Sequence, residues 1–157
     1  MLNLRSYQAG AFVGAMALAG ATTMAMAQMA APEVSGASAT HIAVLSGDNE
    51  VPAVTTNGSG TAFFRYDPQT GELAWTVEFQ DLTGPATGAH IHGPATVEEN
   101  AGVLIDLAVG GAESPLAGAI NITTEQANEL AEGLWYVNVH TEANPGGEIR
   151  GQIEAAM

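Results

Sequence analysis

The chain has 157 residues and no cysteine, so it is long enough for one domain and excludes disulfides, thiolate metal ligands and a cysteine nucleophile. Its three Lys and Arg residues against 17 Asp and Glu residues give a net charge of −14. Nucleic acids and anionic membrane surfaces are bound by clustered basic side chains. This composition therefore predicts no nucleic-acid partner and favours a hydrated surface that attracts cations.

The first 27 residues have the pattern of a secretory signal peptide. Arg5 precedes an apolar run of about ten residues, which is short of the ~20 needed to span a bilayer, and Ala25-Met26-Ala27 has the small-x-small form of a cleavage site. We expect cleavage after Ala27, no membrane span after cleavage, and a periplasmic or secreted protein. An uncleaved membrane-anchored helix is the less favoured alternative. Residues 28–40, rich in Ala, Pro, Ser and Gly, predict a flexible segment before one domain at 41–155.

Alternating apolar and polar residues predict short strands through this domain. The expected strands are 41–46, 61–67, 72–79, 89–92, 103–107, 116–122, 134–140 and 148–153. The pair Thr123-Thr124 offers an N-cap, and the helix formers after it end at Gly133, which predicts one short helix before the final hairpin. About eight short strands separated by turn residues favour an all-β fold, either an antiparallel β-sandwich or a Greek-key barrel.

The final hairpin allows a prediction of register. Matching the apolar faces of its two strands requires paired residue numbers with an even sum. A sum of 288 would place Asn138 opposite Arg150 and His140 opposite Glu148. Neighbouring even sums would move each pair by one step and leave the faces unchanged.

Three histidines are candidate metal ligands. His90 and His92 are one residue apart, so on a strand both imidazoles project from one face, roughly 6–7 Å apart. His140, on the polar face of a later strand, would supply a third nitrogen. Three imidazoles with an open position suit copper or zinc.

Polar residues of the final hairpin are candidates for a supporting shell around this site. Glu148 would accept the second ring N–H of His140 and orient that ligand, as carboxylates often do around metal-bound histidines. Arg150 and Asn138 lie on the same predicted face. The alternative is an extracellular module that binds a protein or surface polymer through its strand faces, with histidines that only hydrogen-bond within the fold.

Four sequence blocks together resemble the CHRD domain, named for chordin, an animal inhibitor of bone morphogenetic proteins. They are residues 45–52 (LSGDNEVP), 88–94 (GAHIHGP), 133–141 (GLWYVNVHT) and 145–153 (PGGEIRGQI), in the order that the family has them. The resemblance places all three candidate ligands, with Glu148 and Arg150, inside signature blocks and implies a shared polar site. Microbial members are mostly exported single domains without an established activity. The cysteine-rich modules that carry much of the growth-factor binding in chordin have no counterpart here, so antagonism of signalling is not expected.

A looser likeness connects the His-x-His pair to copper/zinc superoxide dismutase, another Greek-key barrel that uses such a pair. This chain lacks the cysteines of that family's disulfide, and its four histidines are too few for both metal sites. The serines also lack a nucleophile-elbow context. Dismutase activity is therefore not expected, and the sequence predicts a binding module with no catalytic residues.

Overall fold

In a computed structural model that describes residues 33–157, nine antiparallel strands form one sheet that curls into a half-barrel. The strands are β1 (His41–Ser46), β2 (Ser59–Asp67), β3 (Glu72–Gln80), β4 (Ala86–His92), β5 (Val103–Asp106), β6 (Leu116–Asn121), β7 (Tyr136–Thr141), β8 (Ile149–Gln152) and β9 (Glu154–Ala155). Their order across the sheet is β5-β4-β7-β8-β1-β2-β3-β6, and β9 pairs with β1. The predicted all-β antiparallel class is confirmed, with a single curled sheet in place of two packed ones. The signal peptide predicted at 1–27 lies outside the described residues.

The inner face of the sheet carries the hydrophobic core, as the alternation of the strands predicts. Along β7 the apolar side chains Val137 and Val139 are fully buried, and Trp135 precedes them on the same face. Trp75 on β3 joins the same core cluster. The polar residues of β4 and β7 consequently lie together on the outer face.

Within residues 33–157 there is one α-helix, α1 (Thr124–Ala131), which begins and ends as its sequence predicts. The Thr123 side chain accepts a hydrogen bond from the Gln126 N–H, and the Gln126 side chain accepts one from the Thr123 N–H, which completes a capping box. Gly133 adopts a φ of +69° just past the helix, a conformation that glycine reaches without strain. None of the helical segments in residues 33–157 has the length and hydrophobicity to cross a bilayer.

The segment before β1 makes hydrogen bonds to β2 and β3, and its predicted flexibility stays a prediction. Val34 is buried, and its N–H donates to Thr76 Oγ1 at 2.8 Å. The Thr40 N–H donates to the Phe64 carbonyl at 2.7 Å. Residues 34–40 therefore pack against β2 and β3, through the buried Val34 side chain and the hydrogen bonds of the Val34 and Thr40 N–H groups. Residues 28–32 lie outside the described part of the chain.

The predicted register of the final hairpin is confirmed over β7 and β8. Asn138 pairs with Arg150, and Val139 pairs with Ile149. The prediction that His140 faces Glu148 is wrong, because the Glu148 N–H donates to the Val139 carbonyl at 2.8 Å and takes Glu148 out of the regular ladder. A turn from Thr141 therefore returns the chain to β8 over the outer face of the sheet.

Candidate metal centre

The order of the strands brings the three candidate ligands together. β4, which carries His90 and His92, pairs with β7, which carries His140. The register places Gly88 opposite His140, and a Cβ on Gly88 would lie only 3.3 Å from His90 Cε1. The absence of a side chain at this position therefore leaves room for the His90 ring to lean towards β7.

The three imidazoles converge on one point of the outer face. One ring nitrogen from each of His90, His92 and His140 lies within 4.8 Å of the other two. His90 Nδ1 and His140 Nε2 are 3.0 Å apart and share a hydrogen bond. Zn–N bonds of about 2.0–2.1 Å place tetrahedral ligand nitrogens roughly 3.3 Å apart. Small side-chain rotations would therefore bring all three nitrogens to one ion.

Two backbone carbonyls set which nitrogen carries the proton in two of the three rings. His92 Nδ1 donates to the Ala101 carbonyl at 3.0 Å, and His140 Nδ1 donates to the Pro145 carbonyl at 3.1 Å. With the protons on Nδ1, the lone pairs of both rings lie on Nε2. His92 Nε2 is buried and has no hydrogen-bond partner among residues 33–157. A buried ring nitrogen with an unpartnered lone pair is the group that would bind a metal ion here.

The surroundings of His92 and His140 disfavour the charged form of both rings. Burial lowers the pKa of His92 and of His140, and the positive charge that His90 carries when protonated lowers both further. Arg150 also lowers the pKa of His92. A metal ligand must be a neutral imidazole, so these shifts favour the metal-binding form of His92 and His140.

Arg150 supports His92 through a stack of side chains. Its guanidinium carbon lies 3.6 Å from the centroid of the Tyr136 ring. The Tyr136 ring is parallel to that of His92, with an interplanar angle of 6° and centroids 5.0 Å apart. We call Arg150, Tyr136 and His92 the Arg150 stack. Its middle member, Tyr136, was absent from the predicted site.

Arg150 also holds the loop that supplies the Ala101 carbonyl. The buried guanidinium donates to the carbonyls of Thr96 and Glu99 and to Asn100 Oδ1, at 2.8–3.1 Å. The Ala101 N–H donates to the Tyr136 hydroxyl at 3.0 Å. Arg150 thereby holds the loop 96–101, whose Ala101 carbonyl accepts a hydrogen bond from His92, through contacts that the sequence does not reveal.

Glu148 does not touch His140, so its predicted role as the direct partner of that ring is wrong. Its buried carboxylate accepts hydrogen bonds from three threonine hydroxyls, one backbone N–H and one amide. The donors are Thr56, Thr83, Thr141 and Asn144, with Thr83 donating from both its N–H and its hydroxyl. Burial alone would raise the pKa of Glu148, but these hydrogen bonds outweigh it and lower the pKa to about 2. Glu148 thus anchors the turn whose Pro145 carbonyl orients His140.

Asn138 lies beside the centre and contacts a carboxylate that sequence reasoning missed. Its side-chain amide donates to Glu50 Oε2 at 3.2 Å, and both residues are buried. Burial raises the pKa of Glu50, and the bond from Asn138 and the charge of Arg150 oppose that rise. Glu50 belongs to a turn before β2, and no spacing pattern connects it to the histidines.

A glycine is required where the last turn covers Asn138. Gly147 has a φ of +134°, and a Cβ there would collide with the Asn138 amide and lie 2.6 Å from Glu50 Oε1. We expect Gly147→Ala to lower the free energy of unfolding by about 2–4 kcal/mol, since it combines backbone strain with overpacking. Urea unfolding measures this, with Gly146→Ala as the matched control because a Cβ at Gly146 meets nothing within 4 Å. Equal stability of the two variants would contradict the assignment of this close contact.

Comparison with known proteins agrees with the pattern of the motifs. The model of the CHRD domain family matches residues 41–153, which include every residue of the centre described above. No curated protein and no solved structure matches the chain. Since the match covers well over half of the sequence, the chain belongs to the CHRD domain family.

Proposed function

We propose that this protein is an exported, non-catalytic binding module that holds one copper or zinc ion with His90, His92 and His140. The observation that carries the proposal is the convergence of three ring nitrogens within 4.8 Å. Membership of the CHRD family supports a binding module. The pattern of residues 1–27 supports export, with cleavage after Ala27.

The chemistry of the centre supports a resident ion over a purely structural cluster. A structural cluster would satisfy its buried nitrogens within the fold, whereas His92 Nε2 has no partner in residues 33–157. The carbonyls of Ala101 and Pro145 bind the opposite nitrogens, as outer partners of metal-bound histidines do. Three neutral nitrogen ligands leave a fourth position open for water or a small ligand.

X-ray absorption spectroscopy of the zinc-loaded protein tests the assignment directly. We expect a first shell of nitrogen and oxygen atoms at about 2.0–2.1 Å, with multiple scattering from three imidazole rings. A shell of oxygen atoms without imidazole scattering would mean that carboxylates on the acidic surface hold the metal, which contradicts the proposal.

A cleft lined by Arg150 favours the second candidate function, binding of an extracellular protein or surface polymer. It has a volume of about 580 Å³ and apolar walls that include Val44 and Val97, both largely exposed. Carboxylates of Asp48 and Glu98 also line it. Two results together would establish the second function in place of the first. The protein would bind no metal ion stoichiometrically, and an added partner would protect the backbone amides around this cleft from hydrogen exchange.

A further inference from the structure

The Arg150 stack brings a buried positive charge close to the proposed metal centre. The distances within the stack place the guanidinium carbon no more than about 9 Å from the centroid of the His92 ring. Arg150 is 1% exposed, so solvent and salt screen its charge only weakly. Arginine keeps its charge even when it is buried.

No carboxylate is hydrogen-bonded to this guanidinium within the described residues. Its side-chain hydrogen bonds go to three neutral oxygens, those of the Thr96 and Glu99 carbonyls and of the Asn100 amide. Glu50 lies near enough for its charge to act on Arg150, but its carboxylate accepts its hydrogen bond from Asn138. The field of Arg150 therefore reaches the centre reduced but not cancelled.

The ligand set leaves the bound ion exposed to that field. In the part of the chain that the structure describes, the cluster of candidate ligands consists of three imidazoles and contains no carboxylate. Neutral ligands leave the charge of the ion uncompensated. A nearby positive charge then opposes a divalent ion twice as strongly as a monovalent one.

We propose that Arg150 is a specificity-determining residue of this centre, which shifts copper binding towards Cu(I) relative to Cu(II). The inference rests on the metal site proposed above. The carboxylate of Glu50, which accepts a hydrogen bond from Asn138, has a charge of the opposite sign and the opposite effect on this ratio. At roughly 10 Å and an effective dielectric constant of about 20, one such charge changes the ratio of Cu(I) to Cu(II) association constants by roughly tenfold. For a one-electron couple, tenfold corresponds to about 59 mV in the reduction potential of the bound copper.

The test measures both association constants for the purified protein and three variants. Cu(I) is titrated without oxygen against bicinchoninate, and Cu(II) is titrated against glycine, both at pH 7.5. We expect Arg150→Met to lower the Cu(I)/Cu(II) ratio roughly tenfold and Arg150→Lys, which keeps the charge, to stay within about threefold of the original. Glu50→Gln, which keeps a hydrogen-bond acceptor for Asn138, should raise the ratio.

The outcomes separate charge from packing. Equal losses in Arg150→Met and Arg150→Lys would show that the stack acts only by contact, and an unchanged ratio in Glu50→Gln would also overturn the proposal. If Arg150→Met fails to fold, Arg150→Lys and Glu50→Gln decide the question by themselves. A protein that binds neither copper nor zinc removes the proposed function and this inference together. Binding of zinc without copper, or copper binding with one ratio in all variants, overturns the inference alone.

Discussion

Replacing His92 with alanine should abolish stoichiometric binding of Cu(II) or Zn(II), with a loss of affinity of more than about 100-fold. Partners outside the first ligand shell typically contribute 10–100-fold to metal affinity, and loss of a ligand exceeds that range. Titration calorimetry of the purified protein measures the effect. The double variant His90→Ala/His92→Ala should retain only weak, salt-sensitive binding to the acidic surface.

The matched control for this experiment is His41→Ala. His41 lies on β1, outside the cluster of ligands, and its ring bonds to Thr40 Oγ1. Its replacement should leave the stoichiometry and affinity unchanged. If His92→Ala binds metal as tightly as His41→Ala, the three-histidine site is wrong and the acidic surface accounts for the binding.

Replacing Glu148 with glutamine should lower the free energy of unfolding by about 3 kcal/mol at pH 7. The carboxylate accepts from hydroxyls of Thr56, Thr83 and Thr141, and hydrogen bonds to a charged group contribute about 1.5–3 kcal/mol each. Glutamine has one acceptor oxygen in place of two and adds an NH₂ group among these donors. Urea unfolding at neutral pH gives the difference.

The pH dependence distinguishes this effect from a simple packing defect. The pKa of Glu148 is about 2 in the folded protein, below its ordinary value of 4.5, so the unfolded chain binds the proton first on acidification. The stabilisation is therefore complete above about pH 5 and is lost as the pH falls towards 2. The difference between the protein and Glu148→Gln should shrink over that window. Glu142→Gln, at an exposed position in the same turn, is the control and should show neither effect.

Glu148 also links stability to the metal site, because it anchors the turn that contains Pro145. In Glu148→Gln the Pro145 carbonyl should hold His140 less firmly, so metal affinity should fall by less than in His92→Ala. The sequence predicted Glu148 as a supporting carboxylate, but the hydroxyls that donate hydrogen bonds to it lie on three separate segments. The segments of Thr56 and Thr83 are remote in sequence from Glu148, and no periodicity connects them to the final hairpin.

The amino-acid sequence by itself determined eight of the nine strands, their faces and the capped helix, and it limited the register of the final hairpin to even sums, one of which pairs Asn138 with Arg150. These follow from alternation, capping residues and the need to match apolar faces, all of which are local rules. The same rules put His90 and His92 on one face and identified His140 as the third candidate. Only the tertiary structure decided that β4 lies beside β7, which brings the three rings together.

The tertiary structure alone also decided which atoms orient those rings. The acceptors at Ala101 and Pro145 are backbone carbonyls, which every residue has and which therefore leave no mark in the sequence. Glu148 is not paired with His140, because its N–H donates to the Val139 carbonyl. This shift of one residue gives the Glu148 side chain different hydrogen-bond partners from those predicted. The face on which a strand side chain lies follows from the sequence. The contacts of a loop depend on its position in the folded protein, which no local sequence pattern gives.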